Sequence, residues 1–194
     1  MEILKINPRN YKKIVKIAEK SIKEGKVLIC PTDTVYGLIA NATNKKTVKK
    51  IFQIKKRSFK KPIPLFVKDI KMAKRIAKID KNQGELLKKY WPGKITVRLN
   101  RKGNKKLYGV DKKTIALRIP KYKFLKILLE KLNFPLVQTS ANISRKPPII
   151  NIKEALETFN KKNKPDLIID GGVLKNKRSK IIDLTVNPPK ILRQ

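Results

Sequence analysis

Twelve residues, Val27 to Leu38, constrain this chain more than any other stretch. Val27-Leu28-Ile29-Cys30 is an unbroken apolar run that reads as a buried strand, and Pro31, with no N–H to give to a ladder, ends it. Beyond the proline, Thr32, Asp33 and Thr34 set three short side-chain oxygens on a turn, Tyr36 adds a phenol, and Gly37 lets the backbone bend or approach a ligand closely. Open α/β sheets bind ligands beyond the carboxyl ends of their strands, so this exit is a candidate site. An Asx or ST turn that merely closes a loop would use the same residues.

Length sets the scale. A chain of 194 residues suits one domain, 1–194, burying roughly 70% of its unfolded surface. No apolar run approaches the ~20 residues of a membrane span, and the charged N-terminus has no signal-peptide core, so the expected location is the cytoplasm. The single cysteine, Cys30, excludes an internal disulfide, and its apolar strand suits a buried structural thiol better than a nucleophile. Histidine is absent, which rules out Ser-His-Asp and Cys-His catalysis and a Cys/His zinc site. The 14 carboxylates form no paired Asp/Glu motif, so catalysis here must rest on positioning and fixed positive charge.

The net charge of +36 invites a nucleic-acid partner. Against that, the excess is 41 lysines to nine arginines, spread over every segment with many Ile and Asn and without the aromatic interleaving of a single-strand binder. Drift toward A/T-rich codons gives such a pattern, leaving weak RNA binding as the expectation. Where lysine is this abundant, an arginine marks a place that needs a planar, bidentate fork. Arg57, Arg118 and Arg193 stand in motif-like contexts.

Along the chain, a strand over 3–6 leads to a helix with Asn7 as N-cap and Ile14, Ile17, Ala18 and Ile22 inward, ended by Gly25. A second helix over 45–56 buries Val48, Ile51, Phe52 and Ile54 and ends in five cations within Lys55 to Lys61, which suit either a solvated helix end or a phosphate grip. Residues 64–67 read as an edge strand, Asp69 caps a short helix through Ala77, and a helix over 84–90 runs into Trp91-Pro92-Gly93 and a strand through Leu99. Arg118 sits among apolar neighbours in a strand over 114–120. It needs a carboxylate or a ligand, and the shortage of carboxylates favours the ligand. After a helix over 122–132, a strand over 135–137 exits into Gln138-Thr139-Ser140-Ala141-Asn142-Ile143-Ser144, a cradle for carboxylate or phosphate, or a capped turn. A helix over 151–162 turns Ile152, Ala155, Leu156 and Phe159 inward, and two or three strands end the chain. There is no internal repeat, Walker A loop or G-x-G-x-x-G.

Taken in order, Pro31-Thr-Asp-Thr-Val-Tyr-Gly-Leu38, the Lys-x-Arg of Lys55 to Arg57, Trp91-Pro-Gly-x-x-Thr96, Leu117-Arg-Ile-Pro120, Thr139-Ser-Ala-Asn-Ile-Ser144, Ser179-x-Ile-Ile-Asp183 and Leu192-Arg193 resemble the YrdC-like domain of threonylcarbamoyl-AMP synthases. The ordered set covers nearly the whole chain. The resemblance implies an α/β fold, a twisted mixed parallel/antiparallel sheet flanked by helices, with a concave basic ligand site. It implies a nucleotidyltransferase that makes threonylcarbamoyl-AMP and pyrophosphate from L-threonine, bicarbonate and ATP, with Mg2+ carried by the nucleotide and no protein-held metal. A downstream threonylcarbamoyl transferase would use the product for t6A modification at position 37 of tRNA. Carried over by position, it puts Thr34, Arg118, Gln138 and Ser179 around threonine, and Arg57, Lys61, Thr114, Ser140, Asn142 and Arg193 around ATP, with Arg57 and Lys55 as the catalytic pair.

The chain departs from the family pattern at Phe66, where some members have a histidine, at Pro148, where some have a serine, and at Lys180, a frequent threonine. The competing reading is a YrdC-like paralogue that binds RNA without making an adenylate. The polar set at the strand exits beside Arg118 argues against it, since an RNA-only surface has no use for one.

Overall fold

The computed structural model describes residues 1–103, 105–159 and 163–194. Ten strands form one mixed sheet in the order β1-β8-β2-β3-β7-β4-β6-β5-β9-β10. These are β1 (Glu2–Lys5), β2 (Leu28–Cys30), β3 (Gly37–Asn41), β4 (Leu65–Phe66), β5 (Ile95–Asn100), β6 (Thr114–Arg118), β7 (Leu136–Ser140), β8 (Leu167–Asp170), β9 (Lys180–Asp183) and β10 (Lys190–Arg193). Among the described residues six helices flank them: α1 (Tyr11–Lys23), α2 (Lys45–Lys55), α3 (Ile70–Lys74), α4 (Lys81–Tyr90), α5 (Lys123–Leu132) and α6 (Ile152–Thr158).

The two-residue period of a strand divides the core. Val27, just before β2, and Ile29 on it join a cluster that takes in α2, α3, α4 and α6, while Leu28 and Cys30 join one under α1 and α5. Cys30 is fully buried, and burial pushes its thiol well above the usual range, which fits a packing role. In register across β7, β4 and β6, Leu136 pairs with Phe66 and Phe66 with Arg118. Register neighbours share a face, so this row marks the seam where the α1/α5 cluster gives way to charged side chains. The Arg118 guanidinium carbon lies 5.5 Å from the Phe66 ring centroid.

Several elements differ from the sequence expectation. Asn7 does not cap α1: its Oδ1 accepts from the N–H groups of Arg9 and Asn10, making an Asx turn, and the helix starts four residues later at Tyr11. The apolar Leu38-Ile39-Ala40 forms β3, unforeseen because so short a run acquires its partners, β2 and β7, only in three dimensions. The expected edge strand near Pro64 is an interior one, confined to Leu65–Phe66 between β7 and β6, with the proline just outside where no donor is needed. Helix α3 stops at Lys74, and β7 runs on to Ser140, so the polar exit residues start within the strand. Leu156 is 41% exposed, not inward as expected. Of the helix expected over 151–162, residues 160–162 lie outside the described residues.

Candidate active site

The seam opens into a cavity of about 890 Å³. Thr114, Ala116 and Arg118 line it from alternate positions of β6, while Ile115 and Leu117 enter the core on the other face. Gln138 and Ser140 do the same from β7, with Val137 in the core. The end of α2, the following loop, the exit loop of β7, and Arg178, Ser179 and Arg193 complete the wall. All eleven site residues expected from sequence stand on this one cavity.

Its charge is lopsided. Ten Lys and Arg side chains line it against one carboxylate, Asp111. Six of the nine arginines are among them but only four of the 41 lysines, so the cavity selects the guanidinium well beyond what composition provides.

Lys55 is 2% exposed and hands all three of its N–H bonds to protein oxygens, at 2.6 Å to the Ser140 carbonyl and 2.9 Å to both the carbonyl and Oδ1 of Asn142. The Ser144 N–H returns a bond to the Lys55 carbonyl, 2.8 Å. The end of α2 and the exit loop of β7 are thereby stapled together. Burial first, then the charges of Arg57 and Arg178, push the Lys55 ammonium down to about 7. The three acceptors pull the other way, since only the charged form carries three N–H groups. Ser140 Oγ donates to Asn142 Oδ1 at 2.7 Å, and Asn142 Nδ2 donates to the carbonyls of Ile143 and Lys146.

Arg57 braces the loop after α2, donating from Nε to the Lys61 carbonyl and from Nη2 to that of Pro62, both at 2.9 Å. Lys61 itself stands exposed at the rim. Arg193 holds Ser179 in a fork, Nε and Nη2 to its carbonyl at 3.0 and 2.7 Å and Nη2 also to Oγ at 3.0 Å, while Thr96 Oγ1 meets the same hydroxyl at 3.0 Å. Burial draws both guanidinium pKa values down.

Arg118 is 1% exposed and, contrary to the expectation of a ligand in place of a carboxylate, its Nη2 pairs with Asp33. Its Nε donates to the Gly93 carbonyl at 2.9 Å and Nη1 to Thr34 Oγ1 at 3.3 Å. Asp33 also accepts from the Lys121 N–H, 3.0 Å. Only Thr34 of the polar residues beyond Pro31 lines the cavity. Thr32 closes its own turn onto the Val35 carbonyl, and the buried Tyr36 hydroxyl turns away to the Gly172 carbonyl, 2.7 Å. Gly37 serves close approach: a Cβ there would stand 3.3 Å from Thr32 Cγ2 and 3.5 Å from Gln138 Nε2. The Gln138 carboxamide faces the cavity, 8% exposed, with no hydrogen-bond partner among the described residues.

Sequence reasoning missed Arg98, Asp111, Arg145 and Arg178. Arg98 pairs with Asp183 at 3.3 Å and donates to Thr114 Oγ1 at 3.3 Å. Asp111 accepts from the Thr114 and Lys113 N–H groups, which hold its carboxyl below the usual range. The scarcity of arginine, applied to every arginine and not only to those in motif-like contexts, is the signal that could have found Arg98 and Arg178. Arg145 sits at φ +72° in a turn closed by the Lys146 N–H on the Ile143 carbonyl, a position that favours glycine and costs another residue roughly 1 kcal/mol.

With this geometry in view, residues 20–194 match the Sua5/YciO/YrdC family model, described as "Telomere recombination". The chain belongs to the Sua5/YciO/YrdC family. A Methanocaldococcus jannaschii relative is 36% identical over 95% of this chain and 86% of its own length. The threonylcarbamoyl-AMP synthase of Pyrococcus abyssi is 35% identical over 98% of this chain but only 56% of its own length, so this chain spans little more than half of it. The crystal structure of P. abyssi Sua5 complexed with L-threonine superposes with a TM-score of 0.86 at 34% identity, covering 99% of this chain and 56% of that one. Escherichia coli YciO superposes at 0.87 and 26% identity, covering 100% of this chain and 96% of that one. The mixed sheet flanked by helices is thus the Sua5/YciO/YrdC fold. No helix among the described residues is long and apolar enough to cross a membrane.

Proposed function

We propose that this chain is an L-threonylcarbamoyladenylate synthase, a nucleotidyltransferase that joins L-threonine, bicarbonate and ATP into threonylcarbamoyl-AMP with release of pyrophosphate. The observation that carries the reading is the single cavity, lined by ten cations and one carboxylate, in which the buried Arg118–Thr34–Gln138 group adjoins the stapled loops of Arg57, Ser140 and Asn142. The relatives named threonylcarbamoyl-AMP synthase and the threonine complex of P. abyssi Sua5 support it.

In this reading Thr34, Arg118, Gln138 and Ser179 take threonine, with the open Gln138 amide as the group still free to bond it. Bicarbonate takes up a proton and loses water to give CO2, the neutral amine of threonine adds to it and releases a proton to leave a carbamate, and a carbamate oxygen attacks the α-phosphorus of ATP. The bond to the β-phosphate oxygen breaks, and pyrophosphate leaves with that electron pair. Charge spreads over the phosphoryl oxygens, so fixed cations replace the histidine base the chain lacks. Arg57, Lys61, Thr114, Ser140, Asn142 and Arg193 face the nucleotide. Lys55, its donors spent on Ser140 and Asn142, acts as a positioning residue. The described residues hold no cluster of three or more metal-ligating side chains. Mg2+ fits as part of the nucleotide substrate, coordinated by its phosphates. The product then passes to a tRNA-modifying threonylcarbamoyl transferase, in the cytoplasm.

Purified protein given Mg-ATP releases pyrophosphate only when both L-threonine and bicarbonate are present. Release that ignores the omission of threonine, or no release at all, overturns the synthase. The forks give a second expectation. Lysine cannot serve two splayed acceptors, so Arg57→Lys and Arg193→Lys each lower kcat/KM by roughly 10- to 10³-fold, and full activity in both would refute the arginine argument.

A further inference from the structure

Three neighbouring features of the cavity wall lie outside these roles. Ser144 Oγ is buried with no hydrogen-bond partner among the described residues, an unmet polar atom at the head of the strained turn. The next residue, Arg145, is exposed on the wall, and the turn holds it at φ +72° although no protein acceptor among the described residues rewards the strain. Arg178 stands on the irregular segment between β8 and β9, exposed and equally without an acceptor among the described residues. It directly precedes Ser179, whose carbonyl and hydroxyl hold the Arg193 fork. Its charge is felt at both Lys55 and Arg193, each of whose pKa values it lowers. Arg57, Arg98, Arg118 and Arg193 all have protein partners; these two do not. Two uncompensated guanidinium forks and an open hydroxyl, gathered beside other cations, are stabilised by an oxyanion offering several oxygens, and the guanidinium plane matches phosphate in particular.

We propose that Ser144, Arg145 and Arg178 form a diphosphate subsite on the outer wall of the cavity, which holds the leaving pyrophosphate. The identification of the ligand as the leaving group rests on the synthase reading; the anion chemistry does not. A carboxylate offers two oxygens, enough for one fork, whereas a diphosphate offers oxygens for guanidinium groups on both loops and for the hydroxyl.

The test is calorimetric titration of the ligand-free full chain with inorganic pyrophosphate at about 0.1 M salt. Arg145→Gln and Arg178→Gln each weaken binding roughly 10-fold, Ser144→Ala several-fold, and the double arginine variant roughly 100-fold. In the same variants L-threonine binding and melting temperature stay at wild-type values, because none of the three side chains bonds another of the described residues. Pyrophosphate affinity unchanged in the double variant, or no binding by the wild type, overturns the subsite. The titration involves no turnover, so the two readings fail separately. A chain inactive as a synthase whose variants still lose pyrophosphate affinity keeps the subsite. An active chain whose double variant binds pyrophosphate as before keeps the synthase and loses the subsite.

Discussion

Asp33→Ala is expected to destabilise the protein by about 3–5 kcal/mol, because it strands the Arg118 charge where only 1% of the residue reaches solvent. At this chain length that lowers the melting temperature by roughly 10 °C. Asp33 accepts from both Arg118 and the Lys121 N–H, so no single water restores what is lost. Asp33→Asn keeps an acceptor and the shape while losing the charge, and costs less. The decisive variant is the double one, Asp33→Ala with Arg118→Met. A buried pair exchanged for apolar groups of similar volume is often neutral, so most of the stability returns. Threonine-dependent pyrophosphate release does not, since the guanidinium that steadies Thr34 and borders the cavity is gone. Urea denaturation beside the pyrophosphate assay reads both. An Asp33→Ala protein within 1 kcal/mol of wild type would mean that Arg118 needs no carboxylate, and a fully active double variant would remove Arg118 from the site.

Lys55→Met is the other large effect. The thioether keeps the length of the buried stem but leaves three oxygens, those of Ser140 and Asn142, without their donor. Unpaired buried acceptors that had bonded a charged group cost about 3–5 kcal/mol together, allowing for non-additivity. The catalytic cost is larger than a simple loss of charge, because the exit loop of β7 carries Ser140, Asn142 and Ser144 and is fastened to α2 by this ammonium. A displacement of about 1 Å in positioning groups lowers rates roughly 10²-fold, and kcat/KM should fall by at least that much. The Lys55 donors all go to Ser140 and Asn142 oxygens, so under the proposed positioning role the loss appears for ATP and threonine alike. A stable Lys55→Met protein with a raised KM for ATP alone would instead make Lys55 a direct phosphate contact.

The sequence by itself determined the local parts. Four apolar residues and a proline specify β2 and its exit, because a strand side chain needs only its neighbours to declare which faces are buried. The 3.6-residue spacing of apolar residues specifies α1, α2 and α5 in the same way. The rarity of arginine in a lysine-rich chain marked the cavity, since a site that needs a planar fork has a use for guanidinium that lysine cannot fill. What tertiary structure alone decided involves residues far apart. Asp33 and Arg118 are 85 positions distant, and each looked solitary until the fold removed water from both. Lys55, which from sequence alone suited either a solvated helix end or a phosphate grip, is buried because β7 and its exit bring three carbonyl-type oxygens to it from 85 to 87 residues away. The two-residue β4 became interior, and Leu38-Ile39-Ala40 became a strand, because β7 and its neighbours supplied ladders on both sides. Local patterning reports burial one residue at a time; ion pairs, staples and strand neighbours are desolvation events between distant segments, and their free energy exists only after the chain has closed on itself.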